Sequence, residues 1–276
     1  MMNKDILIFG KGFIGEKLQK AFNCNISETI FNDFADANKE ADRYNPKIII
    51  NCIGNTGGSN VDGCEDSKQQ TLLANTFIPI ILGDIAFRRN IKLVHISSGC
   101  IYHFDYARQK PISEEDVPDF FDLFYSRSKI YAERALMGIL KSSNILIVRI
   151  RIPLDNKPHP KNILTKILKF QRIIDIPNSI TYIPDFVEML RHLIKIDAKG
   201  IYNTVNKNTL RYPEILEVYK KYVPDYNYKV MSYKELNLVR TNLVMSVDKL
   251  ESTGFKVRDI HEVLEECVKE YVSSKG

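Results

Sequence analysis

Four short runs of uninterrupted apolar residues punctuate the first half of the chain: DILIFG (5–10), PKIIINC (46–52), IKLVHIS (91–97) and NILIVRI (144–150). A strand with one wet face alternates apolar and polar positions, whereas a strand that is apolar at nearly every position is buried on both faces, as in parallel sheets. Between these runs lie stretches with helical spacing, GEKLQKAF, ANKEADRY, QTLLANTFIPIILGDIAFRR and YSRSKIYAERALMGILK. Strand and helix alternate, which predicts an α/β fold built on a doubly wound parallel sheet with right-handed crossovers. After RIRIP the pattern loosens at a proline-rich turn, LDNKPHP (154–160), and continues as KNILTKILKFQ, DFVEMLRHLIKI, YPEILEVYKKY, VDKLESTGF and IHEVLEECVKEYV. These predict a smaller, mainly helical C-terminal lobe. Residues 1–151 with part of 177–205 are assigned to the sheet domain, and 152–176 with 206–276 to the lobe.

At 276 residues the chain is long enough for a sizeable core, and 44% hydrophobic with 26% charged residues is ordinary globular usage. The net charge of +5 is spread along the chain with no basic block, so a nucleic-acid footprint is weak and no nucleic-acid partner is expected; an anionic small molecule fits the charge equally well. The five cysteines, Cys24, Cys52, Cys64, Cys100 and Cys267, include no C-x-x-C pair, so reduced thiols are expected and no disulfide framework or zinc site. His103, His159 and the other histidines have no metal-ligand spacing, and no metal is expected. The N-terminus lacks the features of a signal peptide and the apolar runs look too short and charged for a bilayer. The expectation is a cytoplasmic protein without membrane contact.

FGKGFIG sets Gly10, Gly12 and Gly15 in G-x-G-x-x-G spacing between the first strand and a helix, which is the context of a Rossmann-type dinucleotide loop. The first glycine suits a tight turn, the second a close approach to pyrophosphate, and the third the packing of helix on strand; Lys11, Phe13 and Ile14 complete the loop. Lys11 is either a contact for a 2′-phosphate or a solvated lysine. No acidic residue visibly ends a second strand to bind a ribose, although Asp33 or Asp36 could, so NADPH is expected with NADH as the alternative.

Further along, SSGCIY (97–102) closes the third run and FYSRSKIYAE (124–133) places Tyr125 and Lys129 four apart on one helix face. An ammonium beside a phenol favours the phenolate, which suits proton transfer to a substrate oxygen. The order of glycine loop, serine, tyrosine and lysine resembles that of extended short-chain dehydrogenases/reductases. Alignment on SGCIY selects Ser98 over Ser97 as the hydroxyl that orients a carbonyl, and Asn75 in LLANTFIP matches that family's asparagine. NTGGSNVDGCE (55–65), SSGCIY, EEDVPDFFDLFYSRSK (114–129), VRIRIPLDNKPHPKNILTKI (148–167), DIPNSIT (175–181), GIYNTVN (200–206) and RTNLVMSVDKL (240–250) are more narrowly similar to the nucleotide-rhamnose synthases, bifunctional 3,5-epimerase/4-reductases, and more loosely to dTDP-4-dehydrorhamnose reductases.

The resemblance implies a UDP- or dTDP-4-keto-6-deoxyglucose substrate, 3,5-epimerisation and NADPH-dependent 4-keto reduction. It implies that Ser98, Tyr125 and Lys129 serve the ketone, and that Cys100 and Lys166 carry protons at the acidified carbons. Lys129, Ile53, Gly54, Asn75 and Pro153 would line the dinucleotide, and Asn162, Arg240 and Asn242 the nucleotide sugar. Read without the resemblance, Cys100 is as well a small buried residue, and Lys166 and Arg240 surface charges. The plant pattern has an arginine and a tryptophan where this chain has Gly58 or Ser59 and Gly63, which leaves the base open. A separate upstream 4,6-dehydratase would supply the substrate, and a homodimer is the candidate assembly. Rival readings are a 4-keto reductase alone, another deoxysugar epimerase-reductase of the GDP-fucose-synthase type, and a non-catalytic NADP-binding regulatory subunit.

Overall fold

A computed structural model describes residues 2–29, 31, 33–58, 60–108, 110–139, 144–236 and 238–274, with the Arg108 side chain also excluded. Ser59 and the end of the expected helix at 140–141 lie outside the described residues.

The chain divides into two compact units. The first comprises Met1–Ile101, Phe120–Arg149 and Ile196–Tyr202. Its strands are β1 (Asn3–Phe9), β2 (Cys24–Ser27), β3 (Ile48–Asn51), β4 (Lys92–Ser98) and β5 (Ile145–Ile150). Its helices are α1 (Phe13–Phe22), α2 (Phe34–Tyr44), α3 (Gly63–Asp66), α4 (Lys68–Leu72), α5 (Ile78–Arg89) and α6 (Phe124–Ile139). Together with β9 (Gly200–Asn203) they form a six-stranded sheet in the order β2-β1-β3-β4-β5-β9. The β1–β2, β1–β3 and β3–β4 pairs are parallel. The central strands are largely apolar because helices cover them: Leu7, Phe9, Ile49, Leu93, Ile145 and Ile147 pack with Ala37, Ala41, Leu82, Ile85, Ala86 and Leu136. Helix ends are set locally. α1, α2 and α5 each stop at an asparagine in the left-handed region, Asn23, Asn45 and Asn90, where the short amide side chain tolerates positive φ.

The helical run Lys68–Arg89 is long and apolar enough by composition to cross a membrane. In the fold it is a core helix: Ile78, Leu82, Ile85 and Ala86 are buried against the sheet. Its middle loosens to a π-helical turn at Leu73–Phe77, which carries Asn75.

The second unit comprises Tyr102–Asp119, Ile150–Lys195 and Asn203–Gly276. It contains β6 (Pro153–Leu154), α7 (Ile163–Ile167), β7 (Arg172–Ile174), β8 (Thr181–Tyr182), α8 (Ile183–Lys195), α9 (Tyr212–Tyr222), β10 (Lys229–Met231), α10 (Asp248–Glu251) and α11 (Ile260–Ser273). The strands form two parallel pairs, β6–β8 and β7–β10. Its core joins α7, α9 and α11 through Leu164, Ile167, Ile215, Leu216, Tyr219, Val263, Leu264, Val268 and Tyr271. The stretch 102–119 directly follows β4 in sequence but belongs here, because Ile112 bridges Met245 and Glu114 accepts the Asn203 N–H at 2.7 Å.

Candidate functional site

The glycine loop leaves β1 at Phe9 and enters α1 at Phe13. Gly10 has φ 102°, and a Cβ there would lie 2.6 Å from the Ile53 nitrogen; a Cβ on Gly15 would lie 1.9 Å from the Gly10 carbonyl oxygen. Loop, α1 and the end of β3 therefore close on one another only if both positions are glycine. Gly12 differs: its backbone is extended, φ −112°, and an added Cβ would meet no protein atom within 4 Å. Neither conformation nor packing asks for glycine there, so the space is left for something approaching from outside, at the N–H end of α1, where anions are favoured. This opening and the donor groups around it fit a dinucleotide pyrophosphate.

Lys11, exposed in the loop, is ion-paired with Glu28, the first residue after β2. Asp33, in contrast, caps α2 by accepting the Asp36 N–H at 2.9 Å. The acidic residue at the end of the second strand is thus Glu28. A four-residue edge strand of mixed polarity, CNIS, gives too weak a pattern to be seen in sequence.

Behind the loop, Asn75 ties three segments together. Its amide oxygen accepts the Asn55 N–H at 2.7 Å, and its amide nitrogen donates to the Asn55 carbonyl and the Ser128 hydroxyl, each at 3.0 Å. Ser128 in turn donates to the Tyr125 carbonyl at 2.7 Å, and Thr76 donates to the Ser128 carbonyl at 2.8 Å. Asn75 is fully buried, so it acts as a clamp that fixes the loop after β3 against α6 and orients the turn carrying Tyr125. A Cβ on Gly54 would lie 3.5 Å from the Lys129 ammonium, so this loop runs directly over Lys129.

Lys129 is buried, 4% exposed, and its ammonium donates a long 3.4 Å hydrogen bond to the Ile96 carbonyl. Burial pushes its pKa down to about 8, against the pull of Glu133 one helical turn on. His95 beneath it is buried and held well below its ordinary pKa by burial and by Lys129, so it stays neutral; Asn51 meets its Nδ1 at 3.1 Å.

Adjacent residues on a strand point to opposite faces, and this separates the two serines. Ser97 donates to Glu133 at 2.5 Å, and Glu133 forms a buried ion pair with Arg149, Nη2 to Oε2 at 2.6 Å. Ser98 lies at the other face, its hydroxyl accepting the Cys100 N–H at 3.1 Å. The Ser126 hydroxyl donates to the Cys100 carbonyl at 2.6 Å. The first turn of α6, which bears Tyr125, is therefore tied to the turn that bears Ser98 and Cys100. The start of α6 is itself held by Glu65, which accepts the Phe124 N–H at 2.7 Å. Cys100 is half-buried and Tyr125 buried.

In the second unit, Pro153 begins β6 and follows Ile152, a β-branched residue at φ 40°. The residue before it is fixed to β8: the Arg151 N–H donates to the Thr181 hydroxyl at 2.9 Å and the Thr181 N–H to the Arg151 carbonyl at 2.7 Å. Asn162 is fully buried and caps α7, accepting the Leu164 N–H at 3.1 Å and donating to the Asp155 and Lys157 carbonyls. Its side chain shapes the loop that presents α7, and Lys166 is on that helix. Asn242 accepts from Asn178 at 3.0 Å, and Arg240 donates to the Val239 carbonyl at 2.7 Å. The segment is anchored by Arg151, which donates to the Thr241 hydroxyl and to Asn178, both at 2.9 Å. Arg151, Asn178, Asn55, Ser128 and the Glu133–Arg149 pair were not anticipated. The signal for the arginines was two charges inside the buried run IVRIR, a place where a charge needs a partner.

Comparison with known proteins places this geometry in a family. Residues 4–273 match the model of the RmlD substrate binding domain. A bifunctional dTDP-4-dehydrorhamnose 3,5-epimerase/dTDP-4-dehydrorhamnose reductase of Arabidopsis thaliana is 30% identical, over 94% of this chain and 91% of the relative. The crystal structure of the L780 UDP-rhamnose synthase of Acanthamoeba polyphaga mimivirus is 28% identical and superposes with a TM-score of 0.87, covering 96% of this chain and 98% of that one. The dTDP-4-dehydrorhamnose reductase of Bacillus anthracis, solved in complex with NADP, has the same fold at 19% identity, with a TM-score of 0.82 over 97% of this chain and 98% of that one. The chain spans about two fifths of the length of the trifunctional Arabidopsis relatives it also matches. The match across nearly all of its length makes this chain a member of the RmlD substrate-binding domain family.

Proposed function

We propose that the protein is an NADPH-dependent reductase of a UDP- or dTDP-linked 4-keto-6-deoxyhexose, and that it inverts C3 and C5 of the 4-keto-6-deoxy-D-glucose form before reduction, yielding the nucleotide L-rhamnose. The observation that carries the reading is the Ser126–Cys100 hydrogen bond at 2.6 Å, which brings the turn bearing Tyr125 to the turn bearing Ser98 and Cys100. The activities named for the Arabidopsis and mimivirus relatives support it, as does the NADP complex of the Bacillus reductase.

In this reading Gly10, Lys11, Gly12, Phe13, Ile14 and Gly15, with Ile53, Gly54 and Pro153, hold the dinucleotide, and Asn75 positions the loop beneath it. Bound NADPH supplies a hydride to the C4 carbon of the sugar ketone. Ser98 holds the C4 oxygen and Tyr125 gives it a proton as charge develops. The buried Lys129 ammonium, still protonated below about pH 8, favours the phenolate left on Tyr125. For epimerisation the same two oxygen donors hold the enolate formed when C3 or C5 loses its proton to a base. Cys100 and Lys166 are the proton carriers, removing from one face and returning to the other. Arg240 and Asn242 take the nucleotide diphosphate. The chain works in the cytoplasm downstream of a 4,6-dehydratase, as a homodimer.

The test is incubation with UDP-4-keto-6-deoxyglucose and NADPH in heavy water, read by proton NMR. L-rhamnose deuterated at C3 and C5 is the expected product. A reduced sugar still protonated at those carbons reduces the activity to the 4-keto reductase; no NADPH oxidation overturns the reading.

A further inference from the structure

α6 carries both Tyr125 and Lys129, and its start is not capped by its own neighbours in sequence. The first N–H groups of a helix have no partner inside it, and the ordinary remedy is a Ser, Thr, Asp or Asn just before the helix whose side chain folds back on them. Here that place belongs to Leu123. Its carbonyl accepts the Arg127 N–H at 3.0 Å and so opens the helix, but its buried apolar side chain has no oxygen to offer. The acceptor comes instead from 59 residues away: Glu65, on α3, takes the Phe124 N–H at 2.7 Å.

The other ties of this turn are long-range as well. Ser126 reaches the Cys100 carbonyl and Ser128 meets Asn75, so residues 124, 126 and 128 are each bonded to a different segment, with Tyr125 between the first two. A cap taken from the preceding residue moves with its helix; one taken from another segment fixes the helix end against the rest of the unit. The segment that brings Glu65 is itself rigid. Gly57 and Gly63 approach so closely that a Cβ on Gly63 would lie 2.3 Å from the Gly57 carbonyl oxygen, and the Ser67 hydroxyl donates to the Gly63 carbonyl at 2.7 Å. Asn55, at its start, is the residue clamped by Asn75. Two cations also stand near Glu65, Arg127 at 3.8 Å and Lys68 at 4.0 Å, with side chains 35% and 58% exposed. Ion pairs so long and so wet hold little, which leaves the short, directed hydrogen bond to Phe124 as the contact that matters.

We propose that Glu65 is a positioning residue for Tyr125: by capping α6 from another segment it fixes the start of the helix, and with it the phenol, relative to Ser98 and the C4 ketone. It acts through the Phe124 N–H and not on the substrate. The inference rests on the reading of Tyr125 as the proton donor and adds to it the group that sets where the donor stands.

NADPH oxidation with UDP-4-keto-6-deoxyglucose by wild type, Glu65→Ala, Glu65→Asp and Glu65→Gln, run well below the melting temperature of each, tests it. Glu65→Ala is expected to lower kcat about tenfold to a hundredfold, the range that a small misplacement costs, with the KM for NADPH within about twofold of wild type. Glu65→Asp keeps the charge, disturbs folding least and draws the acceptor back by one methylene; kcat is expected to fall at least about fivefold. Glu65→Gln has an amide oxygen that can take the same N–H, and should keep kcat within about threefold of wild type. Amide hydrogen exchange checks the bond itself: the Phe124 N–H should be protected in wild type and Glu65→Gln, and exchange at least about tenfold faster in Glu65→Ala. A kcat within about twofold of wild type in both the alanine and aspartate variants, whatever their melting temperatures, makes Glu65 a purely structural cap and overturns the inference. A glutamine variant as slow as the alanine one, or equal Phe124 protection in all, overturns it too. Wild-type protein that oxidises no NADPH overturns the reductase reading and removes the inference with it, a result distinct from those failures, in which wild-type turnover stands.

Discussion

Replacing Lys129 by methionine isolates the energetic cost of the proposed active site. Lys129 is buried and its pKa falls from the ordinary 10.5 to about 8, with burial the larger cause and Glu133 opposing it. Below pH 8 the lysine is charged in both folded and unfolded chains, and the fold carries the full cost of burying the charge. Between pH 8 and 10.5 the unfolded chain holds a proton that the folded one has shed, so stability rises with pH by about 1.4 kcal/mol per pH unit. Above 10.5 the cost is gone. The total is about 3 kcal/mol, from the interval between 10.5 and about 8. Little is lost in exchange. Methionine has nearly the same length and adapts to irregular cavities; the one hydrogen bond removed is the 3.4 Å contact to Ile96; and Glu133 keeps Ser97 and Arg149 as partners. Urea denaturation followed by circular dichroism, on wild type and Lys129→Met from pH 7 to 10.5, reads the effect. The variant is expected to be the more stable at pH 7, and its advantage to shrink by about 3 kcal/mol as the pH rises. Methionine packing shifts both ends of this series equally, so the change with pH is the quantity that matters. A stability difference that stays constant within about 1 kcal/mol across the range would falsify the burial of a charged Lys129. The same variant should lose turnover, a case of stability surrendered to function.

Other substitutions probe separate parts of the site. Gly12→Ala is expected to keep stability within about 1 kcal/mol, the usual cost at a helix N-cap, because nothing packs at its Cβ, while NADPH binding by titration weakens at least about tenfold. Normal NADPH binding by that variant would mean the open space is not the pyrophosphate's. Glu133→Gln strands the Arg149 charge, both residues being under 4% exposed, and should cost about 3–5 kcal/mol in urea denaturation; a cost below about 1 kcal/mol would show that the pair is dispensable. Cys100→Ser is expected to slow deuterium incorporation at one of C3 and C5 by about a hundredfold or more. Unchanged incorporation at both carbons returns Cys100 to a packing role.

The uninterrupted apolar runs, their alternation with helical spacing and the placement of Gly10, Gly12 and Gly15 between strand and helix were legible because each is local: burial on both faces, a 3.6-residue period and a required positive φ all show within ten residues. So was the serine, tyrosine and lysine order. Resemblance rather than spacing selected Ser98; in the structure Ser97 is turned to Glu133, and the Ser98 hydroxyl accepts the Cys100 N–H on the other face. The short edge strand β2 was not legible, and with it Glu28, because four residues of mixed polarity have no period to detect. The same holds for Asn75, whose amide is spent on Asn55 and Ser128, 20 and 53 residues away, and for Asn162, which closes a buried loop. Motif matching names both residues but reads side-chain type and not side-chain partner. By itself the sequence determined which segments become strands and helices and which chemistry-bearing residues they carry. The tertiary structure decided which of those side chains are consumed by the fold and which are left to act, because a hydrogen-bond partner or a desolvated charge depends on residues brought together from far along the chain.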